Sequence, residues 1–579
     1  MASQSVFVVA IDFGTSYSGY CFSLASGTDQ IRQVYWGAEH GLKTPKTPTS
    51  ILFNQKQEFK YFGYDAVMKY KSMNPSEADS WYFFQNFKMQ LYNTNVTAGM
   101  KLKATNGKFL PALTVFSESL RFMKKHALNT IKEASFQTVY NQEEITWVIT
   151  VPAIWSAAAK QFMRLAAKKA GIISDMLSRN LIIALEPEAA SLWCKQLPHE
   201  GFMSDSSDKK KFEDSPGIQY IVVDCGGGTI DITVHEIQEN HDLKELHKAS
   251  GGAWGGNRVD ENFSNFLKEI FNDGVWDEYV KKYPTELQNM MYNFSLQKCS
   301  ASREAVYIRC YYNLTRVAES KKDISQFFEN AVGAVWCDGT IKITYEKMKS
   351  WFEYSINSII SALREILCKP EMEKVQYILL VGGFACSIIL RDAVRKAFSS
   401  KYHILCPMEA QAAIAKGAVL FGVNPHIITS RISCRTYGVG VCEKFDDAVH
   451  DARKRRVSKA GDRIYCTDLF QKLVEIGESV NIHEAAHYDF FPIEPDQTEG
   501  KFAFYCTKKQ NARYVDEEGM ELLGFCVVPS PDTRLGLNRR LKVKIQFGLT
   551  EFKATCTDVT SQESRTLIMD FLSYNYSSY

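Results

Sequence analysis

The sequence predicts an α/β protein: a duplicated lobe, then a smaller β-rich domain. Three observations predict it. Two apolar strands each end in Asp and a Gly- and Thr-bearing turn: residues 8–11 lead into Asp12-Phe13-Gly14-Thr15-Ser16, and residues 221–223 lead into Asp224-Cys225-Gly226-Gly227-Gly228-Thr229-Ile230-Asp231. Continuous apolar runs that end in Gly-rich turns suit buried strands whose turns face a ligand. Strand and helix signals alternate to about Asn424, and beyond it short strand-type runs take over. Two copies of one strand–turn unit imply two lobes with a cleft between them.

The remaining elements follow in order. Ser156 is placed to cap a helix over 157–170, rich in Ala, Lys and Arg, and Gly171 to stop it. The run 204–215 is strongly charged and reads as a solvated insertion before the second Asp-Gly strand. Met348, Phe352, Ile356, Ile359, Ile360, Leu363 and Leu367 recur at helical spacing and predict one helix over 345–367. It leads into an apolar strand at 377–381 that ends in Gly382-Gly383. A domain boundary is placed near 425–433. After it, residues 438–441, 541–547 and 552–556 read as strands, the last two alternating in polarity as half-buried strands do. Arg453-Lys454-Arg455-Arg456 reads as a charged hairpin loop in preference to a nuclear signal.

Composition bounds the function. At about 150 residues per domain, 579 residues allow roughly four domain-sized units. Lys plus Arg number 68 against 66 Asp plus Glu, so a nucleic acid is not expected as the main partner. An apolar share of 45% supplies a large core and excludes disorder over the whole length. Fifteen cysteines without a repeated spacing or a Cys-x-x-Cys pair suggest a reduced, cytoplasmic chain without a zinc ribbon. The first residues lack the basic segment of a secretory leader, and no run of 18 apolar residues predicts a membrane span.

The chemistry centres on the two turns. Glycines let backbone amides approach phosphate oxygens, and Thr or Ser hydroxyls add donors. An Asp at each strand end suits hydrated Mg2+, which prefers carboxylates, water and phosphate. The chain lacks Gly-x-x-x-x-Gly-Lys-Ser/Thr, so it is not a P-loop enzyme. One rival motif, His483-Glu484-Ala485-Ala486-His487, matches the zinc-protease pattern. That pattern works on a helix, whereas the flanking texture here is strand–turn–strand and Pro492 follows closely, so a chance match is expected.

These residues carry a resemblance. The chain resembles the actin, hexokinase and heat-shock ATPase superfamily, whose lobes have ribonuclease H-like folds, and within it the seventy-kilodalton heat-shock proteins. Asp12-Phe13-Gly14-Thr15-Ser16-Tyr17 is similar to their first phosphate turn, and residues 224–231 to the second. Val151-Pro152 and Glu186-Pro187 are similar to the segments that join the lobes. Gly255-Gly256 with Asp260 resembles the motif after the second strand, and Gly382-Gly383 the adenosine turn. Further variants, Phe87-Lys88-Met89 and residues 436–441, are most similar to the divergent heat shock 70 kDa protein 12A/12B branch.

The resemblance implies a nucleotide-binding domain over 1–425 with lobes at about 1–195 and 216–425, a linker at 426–434, and a sandwich-like substrate-binding domain over 435–579 with no room for a helical lid. It implies ATP or ADP with Mg2+ as cofactors, and K+ as a further candidate. Asp12, Asp224 and Asp231 would surround Mg2+ through water. Gly14, Thr15, Ser16 and Tyr17 would contact phosphates from one side, and Gly226, Gly227, Gly228 and Thr229 from the other. Lys88 would point at the terminal phosphate, although its bland reading is a surface helix lysine. Glu186 would organise the water shell. Gly255, Gly256, Gly382 and Gly383 would border ribose and adenine, with Lys298 as the adenine-side lysine.

Three departures from the family pattern predict altered behaviour. Glu188 stands where Thr is usual, Ser295 where Glu is usual, and basic Arg431 lies in a linker that is usually acidic and leucine-rich. Weaker adenine contacts and altered coupling between nucleotide and client sites follow. Three functions stay open: a slow ATPase chaperone, a nucleotide-binding adaptor with little turnover, and a small-molecule kinase of the same superfamily. The expected partners are client or signalling proteins bound by the β-rich domain of a monomer. The expected location is cytoplasmic, with the nucleus as a second one.

Overall fold

The computed structural model describes residues 5–27, 30–135, 138, 140–203, 212–300, 304–482, 485–549, 551–568 and 572. Two sheets of the same wiring form the N-terminal part. In the first, Phe7–Phe13 pairs antiparallel with Tyr17–Leu24 and parallel with Ile145–Val151, which pairs parallel with Leu181–Leu185. In the second, Gln219–Cys225 pairs antiparallel with Ile230–Ile237 and parallel with Val375–Val381, which pairs parallel with His403–Leu405. The Asp-bearing strand is central in both and buried along its length. Its apolar run is therefore continuous, as a strand covered on both faces requires.

Each sheet packs one face outward, onto a core of its own lobe. Between the sheets lies a shared core of Val8, Ala10 and Val148 from one lobe and Tyr220, Val222 and Leu379 from the other. Two helices, Glu186–Gln196 and Ala413–Val423, join that core. They touch so closely that a Cβ on Gly417 would lie 1.6 Å from the Ala189 carbonyl oxygen. Only glycine permits that crossing.

Local signals place several elements. Ser156 accepts from the Ala159 amide and starts Ala157–Lys169, and Gly171 follows it at φ 76°. The single helix expected over 345–367 is two, Tyr345–Ser350 and Glu353–Leu367. Tighter i→i+3 bonds at Trp351 and Phe352 interrupt it. There Trp351 packs edge-on against Phe263, and Phe352 stacks on Phe384. Core packing of two adjacent aromatics overrides the periodic signal. Of the charged run 204–215, residues 204–211 lie outside the described ones. Phe212 corrects the reading of a solvated insertion, since it is fully buried against Tyr220 and Tyr377.

The C-terminal part is two facing sheets. One runs Arg455–Val457, Ile464–Val474, Thr436–Lys444, Glu499–Thr507, Glu521–Pro529; the other runs Ala485–Phe490, Leu541–Leu549, Glu551–Asp558, Ser564–Ile568. Val439, Phe504, Cys526, Val543 and Cys556 fill the space between them. Arg455 and Arg456 of the basic run lie exposed on an edge strand. No α-helix follows Val423 among the described residues. The expected linker is itself a strand. Ile428–Ile432 pairs parallel with Leu243–Gly252 of the second lobe and antiparallel with Ser479–Asn481 of the C-terminal domain. One continuous sheet thus joins the two parts. No helix among the described residues is long and apolar enough to cross a membrane. The fifteen cysteines are free thiols.

Candidate nucleotide site

The two Asp-Gly turns meet face to face. A Cβ on Gly227 would fall 2.2 Å from Ser16 Oγ, and one on Gly228 2.8 Å from Thr15 Oγ1. Ser16 Oγ donates to Asn257 Oδ1 at 2.9 Å, tying the first turn to the other lobe. The third Gly-rich turn closes from the side. Gly382, at φ 86°, brings its backbone so near Asp224 that a Cβ would lie 2.5 Å from Oδ1. Gly383 has open space around its Cα.

Three carboxylates converge there, each nearly inaccessible. Asp12 Oδ1 accepts from Thr150 Oγ1 at 3.1 Å, and Asp231 Oδ1 from the Ile154 amide at 2.9 Å. Asp224 Oδ1 and Asp231 Oδ2 are buried without a hydrogen bond, and Asp12 Oδ2 meets only the ammonium of Lys46. Buried acceptors without donors are rare and costly. Two such atoms on the second turn, with Asp12 facing them from the first, fit a hydrated divalent cation held through water. Asp224 is raised well above the usual carboxylate range by burial first, then by Glu186, Asp231 and Asp12.

Two lysines complete the site. Lys88 corrects its bland reading as a surface residue. It is 1% exposed, in the short 3-10 turn Phe87–Leu91 entered through Asn86 at φ 53°. Its Nζ donates to Glu186 Oε1 at 2.6 Å and lies 5.1 Å from the Trp155 ring centre. Glu186 opens a helix, where the backbone dipole favours a negative charge. Burial nonetheless raises its pKa to about 7; Lys88 opposes the rise, and Asp12 and Asp231 add to it.

The second lysine, Lys46, was not a sequence candidate. Its Nζ sits 2.6 Å from Asp12 Oδ2, in a close ion pair. Burial pulls Lys46 down, yet Asp12, Asp224 and Glu186 raise it on balance. Its only local sign is a stiff Pro45-Lys46-Thr47-Pro48 stretch, which carries no chemical motif.

On the other side the expected residues are arranged differently from ligand-facing donors. The amides of Gly255, Gly256 and Asn257 donate to the carbonyls of Gly228, Gly226 and Gly227, so they brace the second turn. Lys298 Nζ donates to Gly256 O at 2.8 Å and Asp260 Oδ2 at 2.5 Å and is buried. Phe384 lies beside Gly256, where a Cβ would be 3.2 Å away. Tyr17 is largely buried, which raises its hydroxyl pKa above the usual phenol value. The His-Glu-x-x-His rival has His483 and Glu484 outside the described residues. Its His487 lies on the strand Ala485–Phe490 and not on the helix that the pattern requires.

Known proteins share this arrangement in sequence. The family model for the Hsp70 protein matches residues 83–425. The chain is 35% identical to mouse heat shock 70 kDa protein 12A, covering 98% of this chain and 92% of that protein. It is 34% identical to human heat shock 70 kDa protein 12B, covering 99% and 92%. Duplicated sheets, opposed Asp-Gly turns and near-full-length identity agree, and the chain belongs to the Hsp70 family, in its 12A/12B branch.

Proposed function

We propose that this chain binds Mg-ATP between its lobes, hydrolyses it slowly, and uses the bound state to control protein binding by its β-rich domain. The observation that supports this best is the meeting of three buried carboxylates on opposing turns, Asp12, Asp224 and Asp231, of which Asp224 and Asp231 each keep a buried oxygen without a hydrogen bond. They would hold Mg2+ through water, and the ion would supply charge neutralisation at the phosphate oxygens. The chain's own groups do the rest by positioning. Thr15, Ser16 and Thr229 offer hydroxyls from opposing turns. Lys88 carries positive charge to the floor of the cleft. Glu186, balanced near neutral pH, is suited to orient a water and accept its proton. Client or signalling proteins would meet the lidless sandwich as extended segments. A cytoplasmic setting fits the free thiols.

A second reading, a nucleotide-dependent adaptor with little turnover, is favoured by Lys46. Its ammonium already neutralises Asp12, so cation and lysine compete for one carboxylate. Single-turnover hydrolysis of Mg-ATP by the purified chain separates the two. Hydrolysis lost in Asp224→Asn supports the ATPase. Binding without cleavage in either protein supports the adaptor. No nucleotide binding would overturn both.

A further inference from the structure

A second polar cavity, of about 770 Å³, lies away from the Asp turns, between the second lobe and the C-terminal domain. Lys248 and Lys369 line it from the lobe, Lys508 and Lys509 from the loop after Glu499–Thr507, and Ile432 of the linker strand lies between them. Glu371 is the one carboxylate among the lining residues. Elsewhere in the C-terminal domain, Lys454, Lys459 and Lys472 each pair with a carboxylate. Lys248, Lys508 and Lys509 have no such partner among the described residues. The chain's formal charge is only +2, so this is a local concentration and not a general excess.

The two walls carry like charge with one carboxylate, Glu371, between them, so an anion in the cavity is favoured by both walls. His247 shows how the wall is prepared. Lys369 Nζ faces its Nδ1 at 3.5 Å; a lysine can only donate, so the ring proton belongs on Nε2. Burial, with Lys369 and Lys248 adding, depresses this imidazole to about 4. It therefore serves as a neutral donor beside the ammonium groups.

We propose that this interdomain cavity binds a compact, soluble polyphosphate, which bridges Lys248 and Lys369 to Lys508 and Lys509 and holds the linker strand docked. Several phosphoryl groups in one small molecule match four lysines that line one cavity from two walls. A nucleic acid matches less well, because the positive charge is clustered and does not form an extended track. The bridge is independent of the Asp12–Asp224 cleft.

The test is calorimetric titration of the full chain with inositol hexakisphosphate and, separately, with tripolyphosphate, in chelator and without nucleotide. The two probes distinguish an inositol-based from an inorganic source. One site is expected, weakening as salt rises. Both Lys248→Glu and the pair Lys508→Glu with Lys509→Glu should weaken it about tenfold or more, a loss of about 1.4 kcal/mol. Lys281→Glu, an exposed site elsewhere, should leave it unchanged. Binding that responds to only one wall would overturn the bridge. Binding lost in Lys88→Met but kept in the wall variants would place the anion in the nucleotide cleft and overturn the site. Absence of binding by both probes would do the same.

Discussion

Arg431 grips Glu188 with two parallel hydrogen bonds, Nε to Oε1 at 2.8 Å and Nη2 to Oε2 at 2.6 Å. One residue lies on the linker strand and the other on the helix that follows the last strand of the first lobe. The bidentate pair fastens the linker to the first lobe, while the Ile428–Ile432 ladder fastens it to the second. The linker strand is thus tied to both lobes and, through Ser479–Asn481, to the β-rich domain.

The pair is buried, with side-chain exposure of 14% for Arg431 and 2% for Glu188. Removing one partner strands the other charge away from water. Arg431→Ala and Glu188→Thr should each cost about 3 kcal/mol. The double variant should cost less than the sum by about 1–3 kcal/mol, because neither orphan charge then remains. Urea unfolding of the four proteins measures this cycle. Limited proteolysis near residues 426–434 should show faster cutting in either single variant. Additive losses would show that the two side chains do not work as a unit.

Glu245 lies next to that pair, and its Oε2 accepts from the Ile432 amide at 3.0 Å. Burial, with Glu188 adding, lifts its pKa from 4.5 to about 8, against the pull of the Ile432 amide, Arg431 and Lys160. The folded chain thus holds a proton that the unfolded chain releases. Its contribution to stability is complete below about pH 4.5 and is lost as pH rises through about 8. Glu245→Gln keeps an acceptor for Ile432 and cannot ionise. The variant should therefore gain stability over the parent as pH climbs from 5 to 8.5, with a small difference at the acid end. Denaturant unfolding across that range is the measurement. A constant difference at all pH values would show that Glu245 does not titrate with folding.

The two Asp-Gly turns were readable because their sequence signal is local. Asp12 and Asp224 end apolar strands, and the glycines beside them have short-range steric work to do, as at Gly382 against Asp224. Lys46 and Glu245 carried no such sign, since each acquires its role from a partner distant in sequence: Asp12 for one and the Ile432 amide for the other. The linker strand is a similar case. Its residues read only as a linker, because both strands that pair with it come from elsewhere in the chain. Lys88 was misplaced in its bland reading because a lysine in a short helical turn is usually solvated; here Glu186 and Trp155 take it inside. Glu188 and Arg431 were each visible as a departure, and only the fold shows that they meet.

Lys88 and Glu186 give the sharpest test of the proposed chemistry, because a positioning role and a purely structural one differ in their pH dependence. Lys88 is the cation that restrains Glu186 from rising further; burial, Asp12 and Asp231 all push the other way. In Lys88→Met the carboxyl loses that restraint and stays protonated to higher pH. Single-turnover hydrolysis should fall about 100-fold from lost charge stabilisation. The rising limb of the rate profile, which should lie near pH 7 in the parent, should also move to higher pH. Glu186→Gln should abolish that limb altogether, while a thermal unfolding scan shows whether the variant remains folded. A Lys88 variant with a lower rate and an unmoved limb would mean that the lysine acts on the phosphate alone and does not tune the carboxylate beside it.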